Sequence, residues 1–291
     1  MSRRRSLEHH RRSLAEIRDI MNSMKTLAYM ETRKLGRFLS AQQAVLQNME
    51  DVAADFLSFH PDMMSEPGQA PSVLLLIGSE RGFCGDFNRA LLRHVDAARQ
   101  THRAPAPLVI AVGRKLHTLL EGDARVVAWI GGAGVVEEVP AVLNQLADEI
   151  VSLQSKHGAI EVFAVHHGNE DGVMTQRLVP PFEGLAAEPA RHSHPPMLNT
   201  SPVAFFTDLT DQYLFAALHA MLYTSLMMEN HDRVTHLSGA VRHLDEQSED
   251  LARQYNAMRQ EEIIEEIEVM LLSAASLDDN PDQQENVGPP Y

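Results

Sequence analysis

The fold of this chain is decided by the stretch LLLIGSERGFCGDFNRALLRHV, Leu74 to Val95. A continuous apolar run ends at Gly78, a short polar loop follows, and the residues behind the loop have the apolar spacing of an amphipathic helix. A buried strand followed by a glycine-rich turn and a helix is typical of a parallel α/β sheet. The glycines raise the question of whether this loop binds a phosphate group.

The loop lacks the residues that phosphate binding requires. A nucleoside-triphosphate loop places Lys-Ser/Thr after its last glycine, whereas Gly85 is followed by Asp86, whose charge would repel a phosphate at the helix start. Gly78, Gly82 and Gly85 have the spacing GxxxGxxG, which differs from the GxGxxG of dinucleotide sites. Cys84 has no nearby base implied by the sequence and is predicted to be buried. We therefore predict no catalytic residue and no cofactor.

The residues around this loop predict one α/β lobe over residues 70–182. Proline and glycine are concentrated between residues 61 and 202, and strands and helices alternate there. Strands are predicted at 72–78, 107–113, 124–130, 159–168 and 172–180, and helices at 84–100, 114–122 and 136–158. This alternation predicts a largely parallel, Rossmann-like sheet covered on both faces. The proline-rich stretch 180–202 is predicted to be a linker.

Two long helices flank the lobe, at residues 1–60 and 203–277. Residues 1–60 contain no proline, and neither do residues 203–280. The first segment has an apolar seam of heptad spacing: Leu14, Ile17, Met21, Met24, Ala28, Glu31, Leu35, Phe38, Gln42, Val45, Met49, Val52, Phe56 and Phe59. The second has another: Val234, Leu237, Val241, Leu244, Ser248, Leu251, Tyr255 and Met258. Seams of this length indicate a coiled coil.

Charge indicates that the two helices pair with each other. Residues 1–60 hold ten Lys/Arg and seven Asp/Glu, whereas residues 203–275 hold four and thirteen. We predict an antiparallel coiled coil of the N- and C-terminal helices with the α/β domain inserted between them. The run EEIIEEIE (261–268) is interpreted as a solvated helix face, and residues 278–291 as a disordered acidic tail.

Composition excludes several functional classes. A net charge of −15 argues against nucleic-acid binding, which requires a basic face. The single cysteine cannot form an internal disulfide. Adjacent histidines such as His166 and His167 should face opposite sides of a strand, so a metal site is not predicted. The sequence shows neither a signal peptide nor an apolar stretch of about 18 residues, the length that spans a bilayer, so any membrane association would be peripheral.

Four segments resemble conserved blocks of the gamma subunit of F-type ATP synthases. IMNSMKTLA (20–28) resembles the family's I-T-x-A-M-K-x-V-A block, and SERGFCGDFN (79–88) resembles its S-D-R-G-L-C-G-x-x-N signature. ENHDRV (229–234) is similar to S-E-x-x-x-R-M, and YNAMRQEEIIEEI (255–267) to N-x-x-R-Q-x-x-I-T-x-E-I. The blocks occur in the family's order across nearly the whole chain.

The resemblance implies a non-catalytic central-stalk rotor. Its partners would be the alpha and beta subunits of the catalytic hexamer, the epsilon subunit and the c-ring, at the cytoplasmic face of a membrane. Met24 and Lys25 match the position that faces the lever of beta, and Arg259 and Gln260 match a pair that contacts a beta loop. The apolar end of the last helix matches the shaft tip in its bearing; its residues are Ile267, Met270, Leu271 and Leu272.

The chain also departs from the family pattern. Glu80 replaces the aspartate of the loop signature, Met21 and Ser23 replace its Thr and Ala in the first block, and Ile264 replaces a Thr near the end. These changes indicate a divergent branch of the family. They are compatible with either protons or sodium ions as the coupling ion, and with either synthesis or hydrolysis of ATP as the main reaction. A coiled-coil adaptor with a Rossmann-like head, or a nucleotide-binding enzyme with helical arms, are the alternatives.

Overall fold

The computed structural model describes residues 2–64, 70–101, 106–168, 172–183, 185 and 192–278. The helices are α1 (Ser2–Leu57), α2 (Phe87–Thr101), α3 (Arg114–Leu120), α4 (Val139–His157) and α5 (Pro202–Asp278). The strands are β1 (Ser72–Ile77), β2 (Leu108–Val112), β3 (Val126–Ile130), β4 (Glu161–His167) and β5 (Val173–Val179). Short 3-10 turns occur at Pro61–Met63 and Val136–Glu138. The predicted tail, apart from Asp278, lies outside the described residues.

The chain forms two compact units. The lobe unit is Met24–Leu237, and the terminal unit consists of Met1–Ser23 together with Ser238–Tyr291. The two long helices, α1 and α5, contribute residues to both. In neither unit is any described helix apolar over enough of its length to cross a membrane.

The lobe unit is built on a five-stranded sheet in the order β3-β2-β1-β4-β5. Leu75 of β1 pairs in parallel with Ile110 of β2 and with Ala164 of β4. Only the last strand in this sheet, β5, runs antiparallel, to β4. The mainly parallel sheet predicted from the sequence is therefore confirmed, with one reversed edge strand.

Alternating strand residues form two cores, one on each face of the sheet. Val73, Leu75 and Ile77 of β1 join a core with buried residues of α1, α4 and α5. Leu76 faces the other way and joins a core with α2 and α3, which includes Phe87. Because a strand points successive side chains to opposite faces, the apolar run of β1 supplies both cores and is buried on both sides.

Helix α2 begins three residues later than predicted. The sequence predicts a helix from Cys84, but Phe83 and Gly85 have φ of +64° and +61°. These left-handed conformations cannot belong to a right-handed helix. The chain between β1 and α2 is therefore a shaped loop, and helical geometry starts at Phe87.

Within the lobe unit, α1 and α5 pack antiparallel. The ring centroids of Phe56 and Phe205 are 5.1 Å apart, and Tyr213 donates a hydrogen bond to the Glu50 carboxylate at 3.2 Å. The pairing of late α1 residues with early α5 residues requires opposite chain directions. This agrees with the antiparallel arrangement expected from the sequence.

The terminal unit also pairs α1 and α5 antiparallel. Arg4 donates to Glu262 at 2.8 Å, and Arg18 donates to Asp245 at 2.5 Å. The apolar seam predicted on α5 is buried or partly buried here from Val241 to Met258. The basic start of the chain therefore lies on the acidic part of α5, as the charge distribution predicts.

The seam predicted on α1 is buried along one of its two columns and only in part along the other. Members seven residues apart are buried or partly buried: Leu14, Met21, Ala28, Leu35, Gln42, Met49 and Phe56. In the alternate column, Met24, Glu31 and Phe59 are partly buried, whereas Ile17, Phe38, Val45 and Val52 are exposed. Burial passes instead to Leu39, Ala53 and Leu57. A helix that packs against a sheet as well as another helix buries a broad face with a 3.6-residue period, and not a strict heptad seam.

Candidate functional site

The interior of the signature loop is filled by its own side chains. The Ser79 N–H donates to Asn88 Oδ1 at 2.9 Å, and Asn88 Nδ2 donates to Ser79 Oγ at 2.7 Å. The Cys84 thiol lies 3.4 Å from the same hydroxyl and is buried, as predicted, and this burial raises the pKa of the thiol. A thiol held in its protonated form is a poor nucleophile. These three residues therefore shape the loop.

The loop does bind an anion, and that anion belongs to the chain itself. The backbone N–H groups of Glu80 and Arg81 each donate to the Glu229 carboxylate at 3.2 Å. Successive backbone N–H groups of this kind form an anion-binding concavity. Because Glu229 of α5 occupies this concavity, the loop, which resembles a phosphate-binding loop in shape, binds an internal carboxylate.

Arg233 completes this buried arrangement. It forms an ion pair with Glu229 and donates through Nε to the Gly82 carbonyl oxygen at 3.0 Å and through Nη1 to Asn230 Oδ1 at 2.7 Å. Glu229 and Arg233 are 3% and 4% exposed. Burial raises the pKa of Glu229, while Arg233 and the two loop amides act in the opposite direction.

Glu80 connects the loop to the neighbouring strands. Its carboxylate accepts hydrogen bonds from the N–H groups of Arg114 at 3.0 Å and Gly132 at 2.9 Å. These groups follow β2 and β3, so the longer acid that replaces the family aspartate reaches across the carboxyl edge of the sheet. Asp86 pairs with Arg93 on α2, which lowers the pKa of the Asp86 carboxyl group.

The histidine pair at the end of β4 is arranged differently from the prediction. The sequence predicts that His166 and His167 face opposite sides, one buried and one exposed, but both are buried. His167 stacks on Phe87 at 3.8 Å between ring centroids and its Nε2 lies 3.0 Å from the Phe87 carbonyl oxygen. Burial lowers the pKa of both imidazoles. The prediction was wrong because this sheet is covered on both faces.

The predicted contact residues fall into two groups. Met24 and Lys25 are half-buried on α1 in the lobe unit, where Met24 lines a cavity of about 210 Å³ together with Arg81 and Arg233. Arg259 and Gln260 are exposed on α5 in the terminal unit.

The apolar end of α5 is exposed as well. Ile267, Met270 and Leu271 are 50%, 64% and 64% exposed. Met270 borders a groove of about 630 Å³ that Arg4 and Glu262 also line.

Sequence reasoning missed the contact between two of the motifs. The loop SERGFCGDFN and the helix segment ENHDRV touch through Glu229 and Arg233. The available signal was a Glu and an Arg four residues apart, which lie on one helix face. Within the described ranges, the structure has no cluster of three or more His, Cys, Asp or Glu side chains suited to a metal ion.

Comparison with known proteins identifies the family. The family model described as ATP synthase matches residues 3–277. The ATP synthase gamma chain of Saccharopolyspora erythraea is 25% identical, with 92% of this chain and 95% of the relative covered. The gamma chain of Ruminococcus albus is 24% identical, with 96% and 100% covered.

Solved structures show the same fold. A chain of the Euglena gracilis mitochondrial ATP synthase OSCP/F1/c-ring structure aligns with a TM-score of 0.61 at 15% identity, covering 100% of this chain and 99% of that one. A chain of the Euglena rotor structure aligns with the same score at 13% identity, with 90% and 99% covered. The fold is that of an ATP synthase central-stalk subunit.

The family match and the shared fold agree along nearly the whole length of the chain. The chain belongs to the gamma-chain family of ATP synthases.

Proposed function

We propose that this gamma subunit is the rotor of its ATP synthase. In this role it couples ion flow through a membrane ring of c subunits to ATP synthesis or hydrolysis on alpha and beta subunits. The observation that carries the proposal is the terminal unit, whose described residues form only an antiparallel helix pair with an exposed apolar end. A long helix pair suits a part that transmits motion.

The apolar end of α5 supports a bearing contact. An exposed Leu271 in water forgoes roughly 1.5–3 kcal/mol relative to full burial, and Ile267 and Met270 add to the same surface. We propose that these three residues lie in an apolar sleeve formed by the alpha and beta subunits. Arg259 and Gln260, exposed further back on the helix, would contact a beta loop.

Met24 and Lys25 are proposed to face the lever of the beta subunit. Both are partly exposed on α1. Since the shaft presents different side chains around its circumference, each beta subunit would meet a different surface as the shaft turns. Differential contacts of this kind shift a population among conformational states. The epsilon subunit and the c-ring would bind the lobe unit at the cytoplasmic face of the membrane.

Co-expression with alpha and beta subunits tests this function. The rotor proposal predicts a stable complex with ATPase activity, in which a bead attached to the lobe unit rotates during hydrolysis. The double variant Ile267→Glu, Leu271→Glu should weaken assembly or rotation, because it places charges in the sleeve. Glu266→Gln, an exposed neighbour on the same helix, is the matched control and should behave like the wild type.

The adaptor alternative gives a different result. It predicts that the chain is stable alone or as a homodimer and that it does not assemble with alpha and beta subunits. That outcome would exclude the rotor.

A further inference from the structure

One face of α5 carries three polar side chains spaced four residues apart: Ser225, Glu229 and Arg233. We call these three residues the α5 clamp. Residues at this spacing lie on one helix face and span about 12 Å at 1.5 Å per residue. All three are buried, which is unusual for an ion pair on a helix surface.

The α5 clamp contacts four backbone groups of the chain that leaves β1. Ser225 Oγ donates to the Ile77 carbonyl oxygen at 3.3 Å. Glu229 accepts from the amides at positions 80 and 81, and Arg233 donates to the carbonyl oxygen at position 82. The helix and the loop are therefore hydrogen-bonded along their length.

Much of the remaining contact between α5 and the sheet is apolar. Leu218, Leu222 and Leu226 of α5 lie in the same core as Val73 and Leu75 of β1. Apolar burial is non-directional, so it resists separation of the two surfaces more than it resists sliding. Hydrogen bonds, particularly those to charged groups, have directional geometry. The α5 clamp is thus a part of the interface that can fix the register.

The loop that the clamp holds has a conformation that side chains rarely adopt. Phe83 has φ of +64°, an outlier for a bulky residue, and Gly85 has φ of +61°. Such conformations persist where the surrounding structure determines them, and they cluster at functional positions. The clamp contributes to that determination together with the Ser79–Asn88 hydrogen bonds, since its own bonds end at Gly82, next to Phe83.

Burying an ion pair brings little net stability. Replacing both partners by apolar residues is often neutral or stabilising, whereas removing one partner is strongly destabilising. Fixing a register is among the best-attested uses of buried polar groups. Glu229 and Arg233 can therefore fix the register between α5 and the loop, which an apolar pair of equal volume could not do.

We propose that, within the lobe unit, the α5 clamp is the junction that holds the loop after β1 in register with α5 when torque passes between the sheet and the helix. The inference rests on the proposed rotor function. Glu229 and Arg233 act in it as positioning residues, through the loop they hold, and contact neither nucleotide nor ion. Without them the lobe would slip on the helix under load, and part of each rotation would be lost.

The double variant Glu229→Met, Arg233→Met tests this role. It keeps side-chain volume and removes both charges together, so the fold should survive. In the isolated chain, the amides of Glu80 and Arg81 should exchange with solvent roughly tenfold faster or more, the factor that corresponds to losing a hydrogen bond to a charged group. In the assembled complex, ATP hydrolysis should continue while ions pumped per ATP fall below the wild-type ratio.

The matched control is Asp123→Asn, Arg125→Met, which removes a partly exposed ion pair at the opposite edge of the sheet. It should leave both the amide exchange at the loop and the pumping ratio unchanged. A reduced ratio in this control would overturn the proposal, because any lost ion pair of the lobe would then suffice.

The outcomes separate the clamp from the rotor function. Unchanged amide exchange, or faster exchange with full pumping, overturns the clamp. Glu229→Gln, which preserves shape, is the second variant if the double variant does not assemble. If neither assembles, the pair is a folding requirement and the positioning role is rejected. Failure of the wild-type chain to assemble with alpha and beta subunits refutes the rotor function instead.

Discussion

Truncating Leu35 to alanine tests the packing of α1. Leu35 is 0% exposed and lies in the core that joins α1, α4, α5 and the sheet. A buried Leu→Ala substitution lowers the free energy of unfolding by about 2–5 kcal/mol, from lost apolar transfer and the remaining cavity. Few atoms around this position can move in, since strand and helix residues surround it, so we expect a value of about 3 kcal/mol or more.

Val45 provides the matched control. It belongs to the same predicted seam but is 42% exposed, so Val45→Ala should change the free energy of unfolding by no more than about 0.5 kcal/mol. Urea unfolding of the purified chain, followed by fluorescence of the single tryptophan, Trp129, reports on the lobe unit. With a urea slope of about 2–3 kcal/mol per M, the Leu35 variant should lower the midpoint by roughly 1 M or more. Equal shifts for both variants would show that α1 buries both seam columns and that the observed packing is wrong.

Other consequences of the structure can be measured directly. Burial lowers the pKa of His166 and His167 and keeps them neutral in the folded chain, whereas the unfolded chain protonates below about pH 6.5. The free energy of unfolding should therefore fall as pH drops below that value, by up to about 1.4 kcal/mol per pH unit for each histidine. His166→Val should flatten this dependence, and an unaltered profile would contradict the assignment. Cys84 should react slowly with a thiol reagent in the native chain and quickly in denaturant, because burial raises its pKa; rapid native reaction would show an open loop. Arg259→Glu should leave helix content unchanged and reduce the coupled activity of the complex about fivefold or more, which corresponds to losing an interfacial arginine worth at least about 1 kcal/mol. Arg253→Gln, the control, should leave the coupled activity intact.

Much of the fold follows from local pattern. The apolar run of β1 and the spacing behind it predict a strand, a loop and a helix, and the order of the remaining elements predicts a parallel sheet. The absence of proline predicts α1 and α5. These features can be read from the sequence because each depends on backbone geometry and on side chains only a few residues apart.

The start of α2 and the seam of α1 could not be predicted in the same way. Helix α2 starts late because Gly85, inside the predicted helix, adopts a left-handed conformation, which the spacing of the apolar residues does not reveal. In α1, Leu39 is buried and Phe38 exposed, since the face that packs depends on the sheet as well as on the second helix. The heptad pattern is compatible with either choice.

The candidate site could likewise be predicted only in part from the sequence. The sequence excludes a phosphate loop, because Asp86 stands where a lysine would be needed, and the structure adds what the loop binds instead. Glu229 lies about 150 residues from the loop that it enters, as its hydrogen bond to Glu80 across 149 positions shows. No local pattern connects the two. The sequence likewise predicted that one of His166 and His167 is exposed, whereas both are buried because α2 covers the second face of the sheet.

The sequence alone determined the elements, their order, the charge pairing of the two chain ends and the absence of a phosphate-binding motif at the loop. Each of these follows from residue type and short-range spacing. The tertiary structure alone decided which column of α1 is buried, why the loop after β1 is strained, and that its amides hold the carboxylate of Glu229. These depend on distant segments that meet only in the folded chain, where burial in a low-dielectric interior makes each unpaired polar group costly.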